Sequence, residues 1–81
     1  PFNPSTRFPL DISNTADVTL RVFDILGSEI YKQTESSLNP GVYDLDTPFI
    51  WDASGYSSGI YLYAFELSTG EIKFNKLMLV K

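Results

Sequence analysis

From Tyr61 to Leu67, large apolar side chains take every second position: Tyr61, Tyr63, Phe65 and Leu67. A period of two rather than 3.6 places alternate residues on opposite faces of a strand, so this pattern commits the segment to a sheet with one buried face. The same period recurs along the chain. Val18, Leu20 and Val22 alternate with Thr19 and Arg21. Thr6, Phe8, Leu10 and Ile12 also alternate, although Pro9 makes that strand an edge or bulged one because proline has no N–H to give a ladder. Ile30 and Tyr31 open a short third strand that runs into a polar loop from Glu35 to Asn39, ended by Pro40-Gly41. Tyr43, Leu45, Phe49 and Trp51 form one face of a fourth strand, with Asp44 and Asp46 on the other and a bulge at Pro48.

Between these runs lie turn signals. Asp24-Ile25-Leu26-Gly27 reads as a turn, with Gly27 free to take positive φ. Asp52 to Gly59 is a loop by composition, and Ser68-Thr69-Gly70 closes a hairpin into the last strand. In that strand the apolar phase changes from Ile72 and Phe74 to Leu77 and Leu79, which predicts a bulge near Asn75–Lys76 or burial of both faces. Six or seven short strands, and no competing helical segment, indicate an all-β antiparallel sandwich or small barrel.

Eighty-one residues make a single domain, 1–81, near the lower limit for a self-sufficient core. Aromatics at 15% within a hydrophobic fraction of 43% supply the large buried area such a chain needs. Without Cys there is no disulfide framework, and without His the commonest metal ligand and general base are both missing. The net charge of −4 disfavours nucleic acid and anionic membrane as partners. No apolar run approaches the ~18 residues of a membrane span. The chain opens at Pro1, and the reading is of a C-terminal piece of a larger secreted protein, with any export signal upstream. Charge is unevenly spread: nine acids and three bases stand up to Gly70, one acid and three lysines after it.

Gly55-Tyr56-Ser57-Ser58-Gly59 matches a nucleophile elbow, but that motif requires a following helix and a His base, so no catalytic residue is assigned. Asp44, Asp46 and Asp52 carry oxygens of the kind calcium takes; an acidic face that blunts a strand edge is the preferred reading, and neither metal nor cofactor is expected. Trp51, Tyr56, Tyr61 and Tyr63 are weighed as a sugar-stacking platform, but three of them alternate in step with aliphatic residues, as a core face does. Tyr56 alone is expected to be partly exposed.

Four stretches carry a resemblance. Pro1-Phe2-Asn3-Pro4-Ser5-Thr6 is similar to the opening of the C-terminal sorting domains of the type IX secretion system. Val18 to Ile30 (VTLRVFDILGSEI) resembles that family's second strand and its D-x-x-G turn. Asp52 to Phe65 (DASGYSSGIYLYAF) resembles its small-residue loop followed by Gly-hydrophobic-Tyr, with Tyr56 where a Leu is usual. Lys76 to Lys81 (KLMLVK) resembles its terminal motif. The Ig-like domain of flagellar hook-capping proteins shares much of this pattern.

The resemblance implies an immunoglobulin-like sandwich and a non-catalytic role: to carry an attached passenger from the periplasm across the outer membrane to the cell surface or medium. Implied partners are the outer-membrane translocon, its shuttle proteins, a sortase-like peptidase and the upstream passenger, without membrane insertion by the chain itself. The implied recognition element is Lys76, Leu77, Met78, Leu79, Val80 and Lys81. Gly59 and Tyr61 support it, and Asp24, Gly27, Asp52 and Gly55 shape the turn and loop. A terminal strand of this kind is suited to pair with a partner's sheet edge while its lysines fix register. Two other readings stand beside this one: an adhesion or carbohydrate-binding accessory module, and a sandwich that self-associates into an extracellular fibre.

Overall fold

The computed structural model describes residues 5–80. Eight antiparallel strands follow in chain order: β1 (Ser5–Arg7), β2 (Leu10–Ile12), β3 (Ala16–Phe23), β4 (Glu29–Leu38), β5 (Gly41–Tyr43), β6 (Ile50–Asp52), β7 (Gly59–Leu67) and β8 (Ile72–Leu79). One layer is a four-stranded sheet ordered β4-β3-β7-β8. The other is built from two short ladders, β1–β6 and β2–β5. The described residues contain no helix, and the fold is the all-β sandwich expected.

The core lies between the layers. From the large sheet come Val18, Leu20 and Val22 of β3, Tyr61, Phe65 and Leu67 of β7, and Leu79 of β8. Phe8, Leu10, Ile12, Phe49, Trp51 and Ala53 meet them from the other side. Aromatic rings cross the interface edge to face, Phe8 on Tyr63 at 4.8 Å, Phe49 on Phe65 at 5.1 Å and Trp51 on Tyr61 at 5.6 Å. Such pairs add ~0.5–1.5 kcal/mol each beyond the area they bury.

Three expectations are corrected. The first expected strand is two, because Phe8 and Pro9 break it between β1 and β2. The expected fourth strand is also two. From Arg7↔Ile50 to Leu10↔Tyr43, three steps on one side of the ladder match seven on the other, so four residues, Asp44–Thr47, loop out. Leu45, read as facing the core, is 81% exposed in that excursion. Short-range bonds stabilise the loop: Asp44 N–H donates to Asp46 Oδ1 at 3.0 Å, and Thr47 N–H to the Asp44 carbonyl at 3.1 Å. The buried Thr47 hydroxyl donates to the Phe8 carbonyl at 2.8 Å and accepts from the Phe49 N–H at 3.2 Å, bridging the pair whose other bond, Phe8 N–H to the Phe49 carbonyl, is direct at 3.0 Å.

The polar segment from Glu35 is the third correction, since β4 continues to Leu38. An edge strand has no need of apolar side chains on both faces, and here polar ones bridge the layers. Tyr31 Oη donates to the Ile50 carbonyl (3.0 Å) and Gln33 Nε2 to the Pro48 carbonyl (2.7 Å). The irregularity between Ala16 and Val18 places Ser37 at φ 52, and Asp17 Oδ1 accepts its N–H at 2.8 Å.

Candidate functional site: the β7–β8 hairpin and its free edge

Of the segment singled out in the sequence, Lys76 to Leu79 lie on β8, the edge strand of the large sheet. The Ser68–Gly70 turn joins it to β7, with Gly70 N–H donating to the Leu67 carbonyl and Leu67 N–H to the Glu71 carbonyl, both at 2.9 Å. Pairing then runs without interruption from Glu66↔Ile72 to Gly59↔Leu79. The phase change in β8 is therefore neither a bulge nor a strand buried on both faces. Strict alternation sends Lys73, Asn75, Leu77 and Leu79 toward the second layer and Ile72, Phe74, Lys76 and Met78 outward. Phe74 is 74% exposed, Met78 63% and Ile72 56%, whereas Leu79 is buried and Leu77 half-buried.

The six-residue candidate thus divides by side. Leu77 and Leu79 belong to the sandwich, while Lys76, Met78 and Val80 present their side chains to solvent. Lys81 lies outside the described residues, as does the Pro1–Pro4 part of the opening motif.

Two polar devices modify the free edge. Lys76 N–H donates to the Asn75 side-chain carbonyl at 2.8 Å, so this amide is turned away from β7 and engaged locally. The Lys73 ammonium reaches the Asp11 carbonyl of β2 at 2.7 Å and Glu71 at 3.5 Å, tying the edge of one layer to the other.

The remaining candidates are spread along the sandwich, away from β8 except for Gly59 and Tyr61. Asp24 Oδ1 accepts from Leu26 N–H and Ser28 N–H, both at 2.9 Å, and Gly27 takes φ +88, a region that disfavours any side chain. Asp52 ends β6 and its Oδ1 accepts from Ser54 N–H at 3.0 Å. Gly55 does not adopt positive φ, and a Cβ there meets nothing within 4 Å. Gly59, at φ +152, begins β7 opposite Leu79. The Tyr61 hydroxyl donates to the Ser57 carbonyl at 2.7 Å, which pins the loop.

Tyr56 is half-buried, 5.1 Å from Trp51, with its hydroxyl donating to the Ile30 carbonyl at 3.2 Å, but it is not alone as expected: Tyr31, Tyr43 and Tyr63 are also half-buried and Phe74 is exposed. The aromatic residues weighed as a sugar platform therefore pack into the core instead of lining a surface, Trp51 being 2% exposed. Asp44, Asp46 and Asp52 do not converge, and no group of three potential metal ligands forms among the described residues.

Sequence reasoning missed the outward face of the hairpin. Exposed Ile60 and Leu62 on β7 adjoin it through the pairs Ile60↔Met78 and Leu62↔Lys76. The signal was available, because Ile60, Leu62 and Ala64, which alternate with the core positions of β7, are themselves apolar. At the centre of the sheet this face turns polar. There Arg21 pairs with Glu29 at 2.6 Å and Glu66 at 2.7 Å, hydrogen bonds that raise the guanidinium pKa further.

A family model described as the secretion system C-terminal sorting domain matches residues 3–81. Neither a curated protein nor a solved structure matches the chain.

Proposed function

Since the chain belongs to the family of secretion system C-terminal sorting domains, we propose that it carries an attached upstream passenger through the periplasm and across the outer membrane, and that the segment Lys76–Lys81 is what the machinery recognises. The chain is a sorting signal for type IX secretion, and its destination is export to the cell surface or beyond. Its partners are in the type IX machinery; the outer-membrane translocon and shuttle proteins are the ones this proposal names, with a sortase-like peptidase acting afterwards. The role is non-catalytic in this proposal, the domain acting as a folded label rather than as an enzyme.

The observation that supports the terminal segment is its position. β8 is an edge strand, and Lys76, Met78 and Val80 stay accessible while Leu77 and Leu79 complete the core. The separation of these side chains from Leu77 and Leu79 depends on the folded strand, which couples this arrangement to folding.

The test is a fluorescent passenger joined to residues 1–81 in a bacterium with a working type IX system. Surface or medium fluorescence that disappears on deletion of the translocon is the expected result. Lys76→Ala with Lys81→Ala is expected to lower export, and circular dichroism checks that the variant still folds; the exposed charge of Lys76 contributes little to stability. Passenger retained in the periplasm beside a folded domain would overturn the sorting role for this chain.

A further inference from the structure

The outer face of the large sheet changes character toward its free edge. At its centre the Arg21 cation is held by two carboxylates, Glu29 and Glu66. Nearer the edge, Ile60 and Leu62 of β7 lie beside Phe74 and Met78 of β8, and all four are exposed. Among them, opposite Leu62, stands Lys76. It is exposed and has no ion-pair partner among the described residues. Exposed apolar side chains gathered on one face and bordered by polar ones are a feature of interaction sites.

We propose that this face, Ile60, Leu62, Phe74 and Met78 around Lys76, is the docking surface of the sorting signal. Its occupant is a protein of the secretion machinery that presents an apolar surface with a carboxylate opposite Lys76. The inference rests on the sorting role and specifies which side of the domain is read.

Charge complementarity selects this occupant. The carboxylates on this face are already engaged in each copy, Glu29 and Glu66 by Arg21 and Asp17 by the Ser37 N–H, so a second copy placed face to face offers Lys76 a poor partner. Such a contact leaves a cation against apolar side chains or against another cation, which is costly once water is removed. The edge itself is a poorer site than the face. The Asn75 side chain occupies the Lys76 amide, and the inward-pointing Lys73 bridges to β2, both of them features that discourage strand addition.

The experiment uses the passenger fusion with two changes to the face. Phe74→Thr combined with Met78→Thr removes the apolar patch, using a residue that suits a strand. Lys76→Glu reverses the charge, and Lys76→Arg preserves it. Circular dichroism of each purified chain establishes folding, and sedimentation gives its oligomeric state. With the parent fusion exported, both disruptive variants are expected to stay folded and lose roughly tenfold or more of exported passenger, the scale of losing an interface anchor. Lys76→Arg is expected to retain export. If the double threonine variant fails to fold, Lys76→Glu against Lys76→Arg carries the test alone. Parental export by folded variants overturns the docking face and leaves the sorting role standing. A parent dimer that the threonine changes dissociate also overturns it, by giving the face to a second copy. Failure of the parent fusion to be exported removes the sorting role, and this inference with it.

Discussion

Leu79 and Met78 are neighbours in sequence with opposite duties. Leu79 closes the core, and Met78 faces solvent from the same strand. Leu79→Ala is therefore expected to destabilise the domain by ~2–5 kcal/mol, a large part of the ~5–15 kcal/mol typical of a whole domain. Met78→Ala is expected to change stability by no more than about 0.5 kcal/mol. Urea unfolding of the two variants checks both values, and equal effects would contradict the alternation described for β8. Tyr31 gives a pH-dependent prediction. Burial, with the Glu35 charge adding to it, raises its phenol above the ordinary value of 10.0. A group whose folded pKa is raised contributes stability that is complete below its unfolded pKa and is lost as pH rises through the folded one. Stability measured from neutral pH upward should hold until about pH 10 and then decline, and the decline should be shallower in Tyr31→Phe. The substitution also removes the hydroxyl's bonds to Gln33 and Ile50, so the comparison is of slopes rather than of absolute stabilities.

Among the elements, β7 and the turns on either side of the large sheet were the most legible. Tyr61, Phe65 and Leu67 alternate, and the Asp24–Gly27 turn needs only its own carboxylate and a glycine. Elements whose form depends on distant partners were less legible. β4 reads as a loop after Tyr31 because its polar residues look solvated, yet Gln33 is directed at the Pro48 carbonyl fifteen residues away. The Asp44–Thr47 excursion ends on the Thr47 hydroxyl, which bridges the Phe8 carbonyl and the Phe49 N–H, a contact 39 residues apart in sequence that no local pattern announces. In β8 the phase shift from Ile72 and Phe74 to Leu77 and Leu79 reads as a bulge or as burial of both faces, whereas the unbroken register sends Ile72 and Phe74 to solvent. The edge devices carry a prediction of their own. Asn75→Ala frees the Lys76 amide, and the variant is expected to self-associate more than the parent in concentrated solution, as measured by sedimentation. An unchanged monomer fraction would show that Asn75 does not guard the edge.

Across the whole molecule, two layers divide the work. The β1–β6 and β2–β5 ladders supply Phe8, Phe49 and Trp51 to a core that no disulfide reinforces, while the β7–β8 hairpin keeps an apolar face outside it. Fold class was readable from periodicity, and the terminal segment was singled out by motif alone. The sidedness of that segment was readable from neither, because it depends on the register of β7 against β8. Site-specific photocrosslinking during export shows which side of the domain the machinery meets. A photoreactive side chain would replace Met78 on the outer face, or Leu45 on the opposite layer, in a passenger fusion moving through a type IX system. Adducts to a translocon or shuttle component from position 78, absent from position 45, are the predicted result. Adducts from position 45 with none from position 78 would contradict the account.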